Sequence, residues 1–361
     1  MRHKLFRFLA ICAFGAAFAA SSLPAIAQSF TTFDPDGSLS TVPTSINDRG
    51  AITGYYSADG NLYHSFVRSP IGIITTFDVP GRQSYGTQAW SINDAGAIAG
   101  YSSDDTGNHG FVRSPKGIIT TFDVPGSIFT FVRSINDHGA ITGFYSDGDR
   151  FDSFVRESDG TITRFEIPHA SRTLAQSAND EGAITGYYYD EDISFSFVRE
   201  SDGTITRFDV PGAIYGSQAS SINDAGAITG YYSDATADRG FVRSKKGIFT
   251  TFDVPGASYT YPASINNGEA ITGYYFDANF LLHGFLRSPD GTFTTIDFPG
   301  AINTQPTSIS GGGAITGAYS CASGVGHGFV WTPQGIAGNR MPPGISGRLS
   351  IASRRSGCAT N

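Results

Sequence analysis

The sequence has few basic residues and only one long hydrophobic run. It contains 24 Lys and Arg against 32 Asp and Glu, which gives a formal net charge of −8. Proteins that bind nucleic acid ordinarily carry a basic stripe, and this chain has none. Its apolar run, Phe8 to Ala20, is too short to form a stable membrane span. We therefore predict no nucleic-acid partner and no membrane span.

The sequence also lacks the short motifs that carry common catalytic chemistry. It has no Gly-x-Ser-x-Gly elbow, no His-Glu-x-x-His, no paired Cys-x-x-Cys and no phosphate-binding glycine loop followed by lysine. The absence of these motifs favours a non-enzymatic protein and leaves the question of catalysis open.

Residues 1–27 resemble a secretory signal peptide. Arg2, Lys4 and Arg7 form a basic start, the apolar run follows, and Ala25-Ile26-Ala27 has the small-x-small pattern of a cleavage site. Removing this segment takes away three basic residues and no acidic one, so the formal charge becomes −11. The segment predicts a secreted or periplasmic protein.

Cysteine is scarce, with three residues in the whole chain. Cys12 lies in the signal segment, which leaves Cys321 and Cys358. In an oxidising compartment these two can form a disulfide bond. The alternative is that Cys358 lies in a mobile tail, because residues 334–361 have no strand pattern and are candidates for disorder.

Residues 28–333 consist of one unit repeated seven times. A serine opens each unit, at Ser45, Ser91, Ser134, Ser177, Ser221, Ser264 and Ser308. Each unit contains four short runs of apolar and β-prone residues separated by turn residues, which is typical of strands joined by hairpins. No segment has a sustained helical period. Four antiparallel strands repeated every 43 to 46 residues are typical of propeller blades.

The ends of the repeat favour a closed ring over an open array. The last unit ends at Trp331 without a clear fourth run, whereas an extra copy of that run, Thr31 to Asp34, precedes the first unit. An N-terminal strand that completes the last sheet would remove exposed edges. We predict an all-β fold, a seven-bladed β-propeller of four-stranded antiparallel blades closed by the N-terminal strand. An open solenoid is the alternative.

The units also resemble a known family. They read Ser-Ile-Asn-Asp-x-Gly, then Gly-Tyr, then His-Gly-Phe-Val-Arg, as at His109 to Arg113, and are similar to the repeats of bacterial extracellular proteins named for a His-Ala-Phe motif. The resemblance covers about residues 29–331. Glycine replaces the alanine of the triplet, and the histidine is present in only some units. The resemblance implies secretion and a propeller, and it supplies no active-site residues.

Residues that recur in every unit are predicted to build the lattice. The glycine in the second run, such as Gly230, suggests tight packing between blades. The third-run phenylalanine, such as Phe241, is expected in the core. The third-run arginine, such as Arg68, is expected to pair with an acidic residue of the fourth run of its own unit, here Asp78.

Residues that break the repeat are free to serve a binding site. The connections after the second and fourth runs vary, and in a four-strand meander both emerge on the same face. The predicted ligand-binding residues lie on this face around the mouth of the central channel: Tyr85, Gln88, Trp90, Phe131, Arg133, Arg172, Gln176, Tyr215, Gln218, Tyr259, Tyr261 and Gln305. Aromatic rings and amides suit a polar organic ligand such as a glycan or a peptide. Filling of loops and channel is the alternative.

Two sets of residues suggest metal binding. His64, His109, His283 and His327 belong to neighbouring units, but they lie in third runs on different blades, so a shared zinc site is not expected. Asp147 and Asp149 adjoin Asp190, Glu191 and Asp192, and their oxygens suit calcium. Solvated surface charge is the alternative, and no other cofactor is predicted.

The sequence therefore predicts an exported, monomeric β-propeller that binds a carbohydrate or another extracellular polymer at its variable face. One alternative is a propeller hydrolase or lyase that uses carboxylates such as Asp190 and Asp192. The other is a structural or protein-interaction disc with no small ligand.

Overall fold

The computed structural model describes residues 29–81 and 85–333, together with Cys358. The predicted signal segment and most of the predicted tail lie outside the described residues. The described residues form 28 strands and no helix, and so include no helix that could span a membrane. The protein is all-β.

The 28 strands fall into the four runs that the sequence predicts. The first-run strands are β2 (Ser40–Ile46), β6 (Gly86–Ile92), β10 (Phe129–Ile135), β14 (Arg172–Ala178), β18 (Ser217–Ile222), β22 (Tyr259–Ile265) and β26 (Asn303–Ile309). The second-run strands are β3 (Ile52–Ser57), β7 (Ile98–Asp104), β11 (Ile141–Ser146), β15 (Ile184–Asp190), β19 (Ile228–Ser233), β23 (Ile271–Phe276) and β27 (Ile315–Ser320).

The third and fourth runs complete each unit. The third-run strands are β4 (Tyr63–Arg68), β8 (Gly107–Arg113), β12 (Phe151–Arg156), β16 (Ile193–Arg199), β20 (Asp238–Arg243), β24 (Leu282–Arg287) and β28 (Gly326–Thr332). The fourth-run strands are β1 (Ser29–Phe33), β5 (Ile74–Phe77), β9 (Ile119–Phe122), β13 (Ile162–Phe165), β17 (Ile205–Phe208), β21 (Phe249–Phe252) and β25 (Phe293–Ile296).

Within a unit the strands pair antiparallel in chain order, as β18 with β19, β19 with β20 and β20 with β21. The last unit differs, because its third strand β28 pairs with β27 on one side and with the N-terminal strand β1 on the other. Phe33 lies opposite Gly328 in that pairing, and Asp34 accepts a hydrogen bond from the backbone of Gly328. Residues from the two ends of the repeat thus share one sheet.

The serine that opens each unit recurs because it forms a hydrogen bond between neighbouring units. Its hydroxyl accepts a hydrogen bond from a backbone N–H of the following unit, for example Ser45 from Ile92 at 3.3 Å. The same bond links Ser308 of the last unit to Ile46 of the first, at 3.2 Å. The asparagine two residues later in most units acts in parallel, since the Asn47 side-chain amide donates to the backbone carbonyl of Asn93 at 2.9 Å. These bonds tie neighbouring first-run strands together.

The core lies between neighbouring units. The third-run phenylalanines are completely buried, as predicted: Phe66, Phe111, Phe154, Phe197, Phe241, Phe285 and Phe329. Six of them contact an aromatic ring of the previous unit, as Phe241 contacts Phe208, whereas Phe329 contacts Phe30 of β1. Burying such aromatic surface is the main favourable contribution to the stability of the fold.

The second-run glycines are required inside a unit, which corrects the prediction that they serve packing between blades. A Cβ atom on Gly230 would lie 2.1 Å from the backbone oxygen of Gln218, on the adjacent first-run strand of the same unit. The equivalent distance for Gly143 to Phe131 is 2.0 Å. The close approach occurs because the first-run strand carries a β-bulge at this point. Glycine is the residue that leaves room for it.

The third-run arginines do not pair with the acidic residues of their own fourth run, so that prediction is wrong. The Arg68 guanidinium lies over the ring of Phe33 from the previous unit, 5.1 Å from its centroid. The register gives the reason: Arg68 is opposite Ile74, at one end of the fourth strand, whereas Asp78 follows the other end. Asp78 instead contacts His64, with Nδ1 and Oδ2 2.8 Å apart.

Cys321 and Cys358 are joined by a disulfide bond, with their Cα atoms 5.3 Å apart. The bond fixes Cys358 against the last unit, where its neighbours include Phe298 and Trp331. Chain-entropy arguments assign such a bond about 3 to 4 kcal/mol for a loop of this length.

Candidate functional site

A β-bulge in each first-run strand displaces one side chain per unit from the regular ladder. The bulged residues are Thr44, Trp90, Arg133, Gln176, Ser220, Ala263 and Thr307. Bulges re-aim side chains and are common beside functional sites. In the first and last units this residue serves the lattice: Thr44 donates to the carbonyl of Ala89 at 3.0 Å, and Thr307 to that of Pro43 at 2.9 Å.

Two neighbouring units have much larger residues at the bulge. Trp90 takes this position in one and Arg133 in the next, and the Arg133 guanidinium carbon lies 4.2 Å from the centroid of the Trp90 ring. The same carbon is 5.2 Å from the centroid of the Phe144 ring. A cation beside aromatic rings is held by cation–π attraction, which strengthens as water is excluded.

Further aromatic rings surround this pair and form what we term the Arg133 cluster, namely Arg133, Trp90, Tyr55, Tyr101, Phe131 and Phe144. The ring centroids of Tyr55 and Tyr101 lie 6.1 and 6.2 Å from that of Trp90. Phe131 contacts Tyr101 at 5.2 Å and Phe144 at 5.1 Å. Gln88 accepts a hydrogen bond from the Tyr101 hydroxyl at 3.0 Å.

Arg133 has no partner for its charge among the described residues. Its Nε–H is buried without a hydrogen bond, and none of the ion pairs in the described ranges includes it. Burial lowers the pKa of Arg133, and the groups that oppose this shift are the tyrosines Tyr101, Tyr187 and Tyr55. An arginine remains protonated in proteins even so. The cluster therefore presents an uncompensated positive charge.

The tyrosines of the cluster remain neutral donors. Burial raises the pKa of Tyr55 to about 12, with Tyr101 and Tyr63 adding to the shift and Arg133 opposing it. Burial likewise raises the pKa of Tyr101, against the effects of Arg133 and of the Trp90 side chain. The Trp90 indole N–H nevertheless makes no hydrogen bond of ordinary length and is buried. The Trp90 and Arg133 N–H groups are thus donors without a partner, whereas the Tyr101 hydroxyl is bonded to Gln88.

A second group of tyrosines lies farther around the first-run strands, and we term it the Asp238 cluster: Asp238, Tyr231, Tyr261 and Tyr274. Tyr261 contacts Tyr231 at 5.0 Å and Tyr274 at 5.2 Å between ring centroids. The Tyr261 hydroxyl donates to Asp238 Oδ2 at 2.5 Å. The Asp238 carboxylate therefore faces a group of aromatic rings.

The structure brings together only part of the predicted ligand-binding set. Gln88, Trp90, Phe131 and Arg133 belong to or border the Arg133 cluster, Tyr261 belongs to the Asp238 cluster, and Gln218 contacts Tyr189 between them at 3.5 Å. Arg172 lies over the ring of Tyr189 at 5.7 Å.

The other predicted residues lie outside both clusters. Tyr85 and Tyr215 are 62% and 65% exposed on connecting loops. Tyr259 packs against Phe280 instead, Gln305 is exposed, and the Gln176 amide donates to the backbone of Leu174 at 3.5 Å.

Sequence reasoning missed the second-run aromatics, namely Tyr55, Tyr101, Phe144, Tyr187, Tyr231 and Tyr274. Each directly follows the second-run glycine of its unit and lies opposite a first-run residue, as Tyr101 does opposite Gln88. They occur in six of the seven units, and a residue that recurs from unit to unit is predicted to serve the lattice. The signal that identifies them is their position, one residue beyond the glycine that accommodates the bulge.

The predicted metal ligands are not assembled into a site. The described residues include no group of three or more His, Cys, Asp or Glu that is placed to hold a metal ion. Asp147 accepts hydrogen bonds from the backbone of its own turn, which lowers its pKa. Asp149, Asp190, Glu191 and Asp192 are exposed.

The four strand-start histidines are each engaged with one aspartate at the end of a fourth-run strand. The distances from Nδ1 are 2.8 Å for His64 to Asp78, 2.9 Å for His109 to Asp123, 2.8 Å for His283 to Asp297 and 2.8 Å for His327 to Asp34. The last of these joins the two ends of the repeat. Repetition of the pair from unit to unit indicates a structural contact.

Comparison with known proteins supports the architecture. A catalytically inactive variant of virginiamycin B lyase from Staphylococcus aureus, solved with quinupristin, matches 84% of this chain and 99% of its own, at 15% identity and a TM-score of 0.59. The chain has a β-propeller fold. A streptogramin B lyase structure matches at 14% identity and a TM-score of 0.58, covering 84% of this chain and 97% of that one.

A third match is the β-propeller domain of the Trilobed protease from Pyrococcus furiosus, at 10% identity and a TM-score of 0.57, covering 81% of this chain and 94% of that domain. Identities this low establish the fold and no activity. No protein-family model matches the chain, and neither does any curated protein.

Proposed function

We propose that this protein is an exported, seven-bladed β-propeller, closed by its N-terminal strand, that binds an acidic carbohydrate at the mouth of its central channel. Export rests on the sequence of residues 1–27, which lies outside the described part of the chain. The architecture is supported by the pairing of β1 with β28 and by the serine bonds that pass from the last unit to the first.

The observation that carries the functional proposal is the unpartnered guanidinium of Arg133 over Trp90. A buried charge without a counter-charge is unfavourable, and the cost is recovered when a ligand supplies one. Carboxylates fit the planar guanidinium in a bidentate manner. A carboxylate that binds here also meets neutral tyrosine hydroxyls and the face of an indole.

The aromatic rings explain why a sugar is the proposed carrier of that carboxylate. Sugar rings present apolar C–H faces that stack on Trp and Tyr, while amide and hydroxyl groups such as those of Gln88 and Tyr101 fix their orientation. The formal charge of −11 that remains without residues 1–27 opposes the approach of a long polyanion. A short acidic oligosaccharide, or one segment of an extracellular polymer, is therefore the form that suits the site.

The test is a calorimetric titration with a matched pair of ligands, hexagalacturonate and its methyl ester, in which a neutral ester group replaces each carboxylate. The Arg133→Gln variant is compared with wild type and with Arg207→Gln, which changes an exposed arginine of a fourth-run strand. We expect Arg133→Gln to weaken binding of the acid by about 30-fold or more, equivalent to about 2 kcal/mol, and Arg207→Gln to leave it unchanged.

Two outcomes would contradict the proposal. Equal affinity for the acid and the ester would show that the charge of the ligand plays no part. An unchanged affinity in Arg133→Gln would remove Arg133 from the site. If hexagalacturonate is consumed during the titration, the hydrolase or lyase alternative gains support, and Asp190→Asn is then the variant to assay for turnover.

A further inference from the structure

Asp238 departs from the repeat in a way that the lattice does not require. It stands one residue before the position that holds histidine in four units. The equivalent residues in the other units are Tyr63, Asn108, Phe151, Ser194, Leu282 and Gly326, none of which is acidic. The next residue is also unusual, because Arg239 takes the position that histidine holds in four other units.

Arg239 does not neutralise Asp238. The guanidinium of Arg239 forms ion pairs with Asp234 and Asp253. Asp238 instead accepts hydrogen bonds from the hydroxyls of Ser233 and Tyr261. None of the ion pairs found in the described ranges includes Asp238, so the partners of its carboxylate are neutral hydroxyl donors.

The three tyrosines of the Asp238 cluster are themselves neutral. Burial raises the pKa of Tyr261, and its hydrogen bond to Asp238 adds to the shift. Burial also raises the pKa of Tyr231 and of Tyr274, with the charge of Asp238 contributing to both. Neutral phenol rings keep an electron-rich face, and several such faces beside a carboxylate form the arrangement that binds ammonium groups.

The Asp238 cluster and the Arg133 cluster border the same part of the propeller. Tyr187 lies between them: Arg133 and Arg172 lower its pKa against the dominant effect of burial. The Tyr187 ring also contacts that of Tyr189, with centroids 5.9 Å apart, and the Tyr189 hydroxyl accepts a hydrogen bond from Gln218, which lies opposite Tyr231 of the Asp238 cluster. The two clusters are therefore connected through these intervening side chains, and they carry opposite charges.

We propose that the Asp238 cluster is a second subsite of the same binding site, which holds a protonated primary amine of the ligand whose acidic group binds at Arg133. This proposal rests on the proposed function and narrows its ligand to a molecule that bears both charges. The required chemistry is a carboxylate and an ammonium group on one short chain, as in a sugar oligomer that contains uronic acid and free amino sugar.

The test uses the purified protein and a second matched pair of probes, the fully de-N-acetylated glucosamine hexamer and its fully N-acetylated form, at low ionic strength and a pH at which the amines are protonated. Affinity is measured for wild type, Asp238→Asn, Tyr261→Phe and Arg133→Gln. Asp105→Asn is the control, because it removes an exposed carboxylate from the corresponding connection of another unit.

We expect the amine hexamer to bind wild type at least tenfold more tightly than the N-acetylated form. Asp238→Asn should lose that preference, while Tyr261→Phe should reduce it. Arg133→Gln should bind the amine hexamer at least as tightly as wild type, because a like charge has been removed. The same two charge variants should have the opposite order with hexagalacturonate, for which Asp238→Asn binds at least as well as wild type.

The opposite effects of Arg133→Gln and Asp238→Asn on the two hexamers allow the two proposals to be tested separately. If Arg133→Gln weakens hexagalacturonate binding but Asp238→Asn leaves the amine preference unchanged, the cation subsite is rejected and the proposed function stands. If Arg133→Gln has no effect on hexagalacturonate, the proposed function fails whatever Asp238 does. Asparagine can still accept the Tyr261 hydrogen bond, and a melting temperature within a few degrees of wild type shows that Asp238→Asn folds.

Discussion

The second-run glycines couple the stability of the fold to the position of the site, and Gly143→Ala tests this coupling. A Cβ atom at Gly143 would lie 2.0 Å from the Phe131 oxygen and 3.0 Å from the Val132 Cα. Both are backbone atoms, so the bulge must move and Arg133 with it. Such overpacking costs about 1 to 3 kcal/mol, reduced by the roughly 0.5 to 1 kcal/mol that alanine gains over glycine in a strand.

For a domain of roughly 300 residues, 1 kcal/mol corresponds to about 1 to 2 °C in the melting temperature. We therefore expect Gly143→Ala to melt a few degrees below wild type and to bind hexagalacturonate more weakly. Gly317→Ala is the matched comparison, because its Cβ would lie 2.2 Å from the Gln305 oxygen, in the last unit and away from Arg133. It should destabilise the protein to a similar extent and leave binding intact.

Gly312→Ala completes the series as a control for the substitution itself. Its Cβ would meet nothing closer than 3.9 Å, so we expect a melting temperature close to that of wild type. The melting temperatures of the three glycine variants are measured by scanning calorimetry, and their affinities for hexagalacturonate by calorimetric titration. A Gly143→Ala protein as stable as Gly312→Ala would refute the argument from close backbone approach, and equal loss of binding in Gly317→Ala would refute the local coupling to Arg133.

Three further predictions concern the lattice. Phe241→Ala should lower the free energy of unfolding by about 3 to 5 kcal/mol, because its ring is completely buried; in denaturant titration the exposed Thr250→Ala should be neutral, and equal effects would contradict the core assignment. The pKa of Asp234 is held low, first by Arg239, so its contribution to stability is present above an ordinary aspartate pKa of about 4 and is lost as the pH falls below it. Asp234→Asn should therefore lose less stability than wild type on acidification over this range, and parallel pH profiles would contradict that. Reduction of the Cys321–Cys358 bond should lower the melting temperature, and Cys358→Ser should abolish the response to reductant; a wild-type melting temperature insensitive to reductant would contradict a stabilising disulfide.

Much of the fold can be predicted from the repeat because the same pattern of strand runs and turn residues occurs in all seven units. The missing fourth run after Trp331 and the extra run at Thr31 predicted that one strand would come from the N-terminus, and β1 occupies that place beside β28. The third-run phenylalanines are predictable for the same reason, since an apolar residue that recurs in every sheet has to be buried between sheets.

The errors come from register, which a single sequence does not specify. The arginine at Arg68 and the aspartate at Asp78 belong to paired strands, but antiparallel pairing places them at opposite ends. Likewise, nothing in the sequence marks Arg133 as the extra residue of a bulge. The bulge displaces Trp90 and Arg133 from the regular ladder, and only the paired strands reveal it.

Only part of the candidate site could be predicted from the sequence, because some residues that break the repeat belong to the clusters and others do not. Trp90 and Arg133 break the repeat and belong to the Arg133 cluster. Tyr101 follows the repeat and belongs to it too, while Tyr85 breaks the repeat and is exposed on a loop. Asp238 breaks the repeat at the start of a third-run strand, outside the connections that the sequence argument considered. The His-Ala-Phe resemblance and export remain predictions.

The central claim, that an acidic ligand binds over Trp90 at Arg133, can be tested by fluorescence because the chain contains only two tryptophans. Trp331 is 2% exposed in the core of the last unit, and Trp331→Phe leaves Trp90 as the only reporter. Titration with hexagalacturonate should change the emission of this variant with the affinity found by calorimetry, and Arg133→Gln in the same background should remove the change. Calorimetric binding that leaves Trp90 emission unaltered would place the ligand elsewhere and contradict the account.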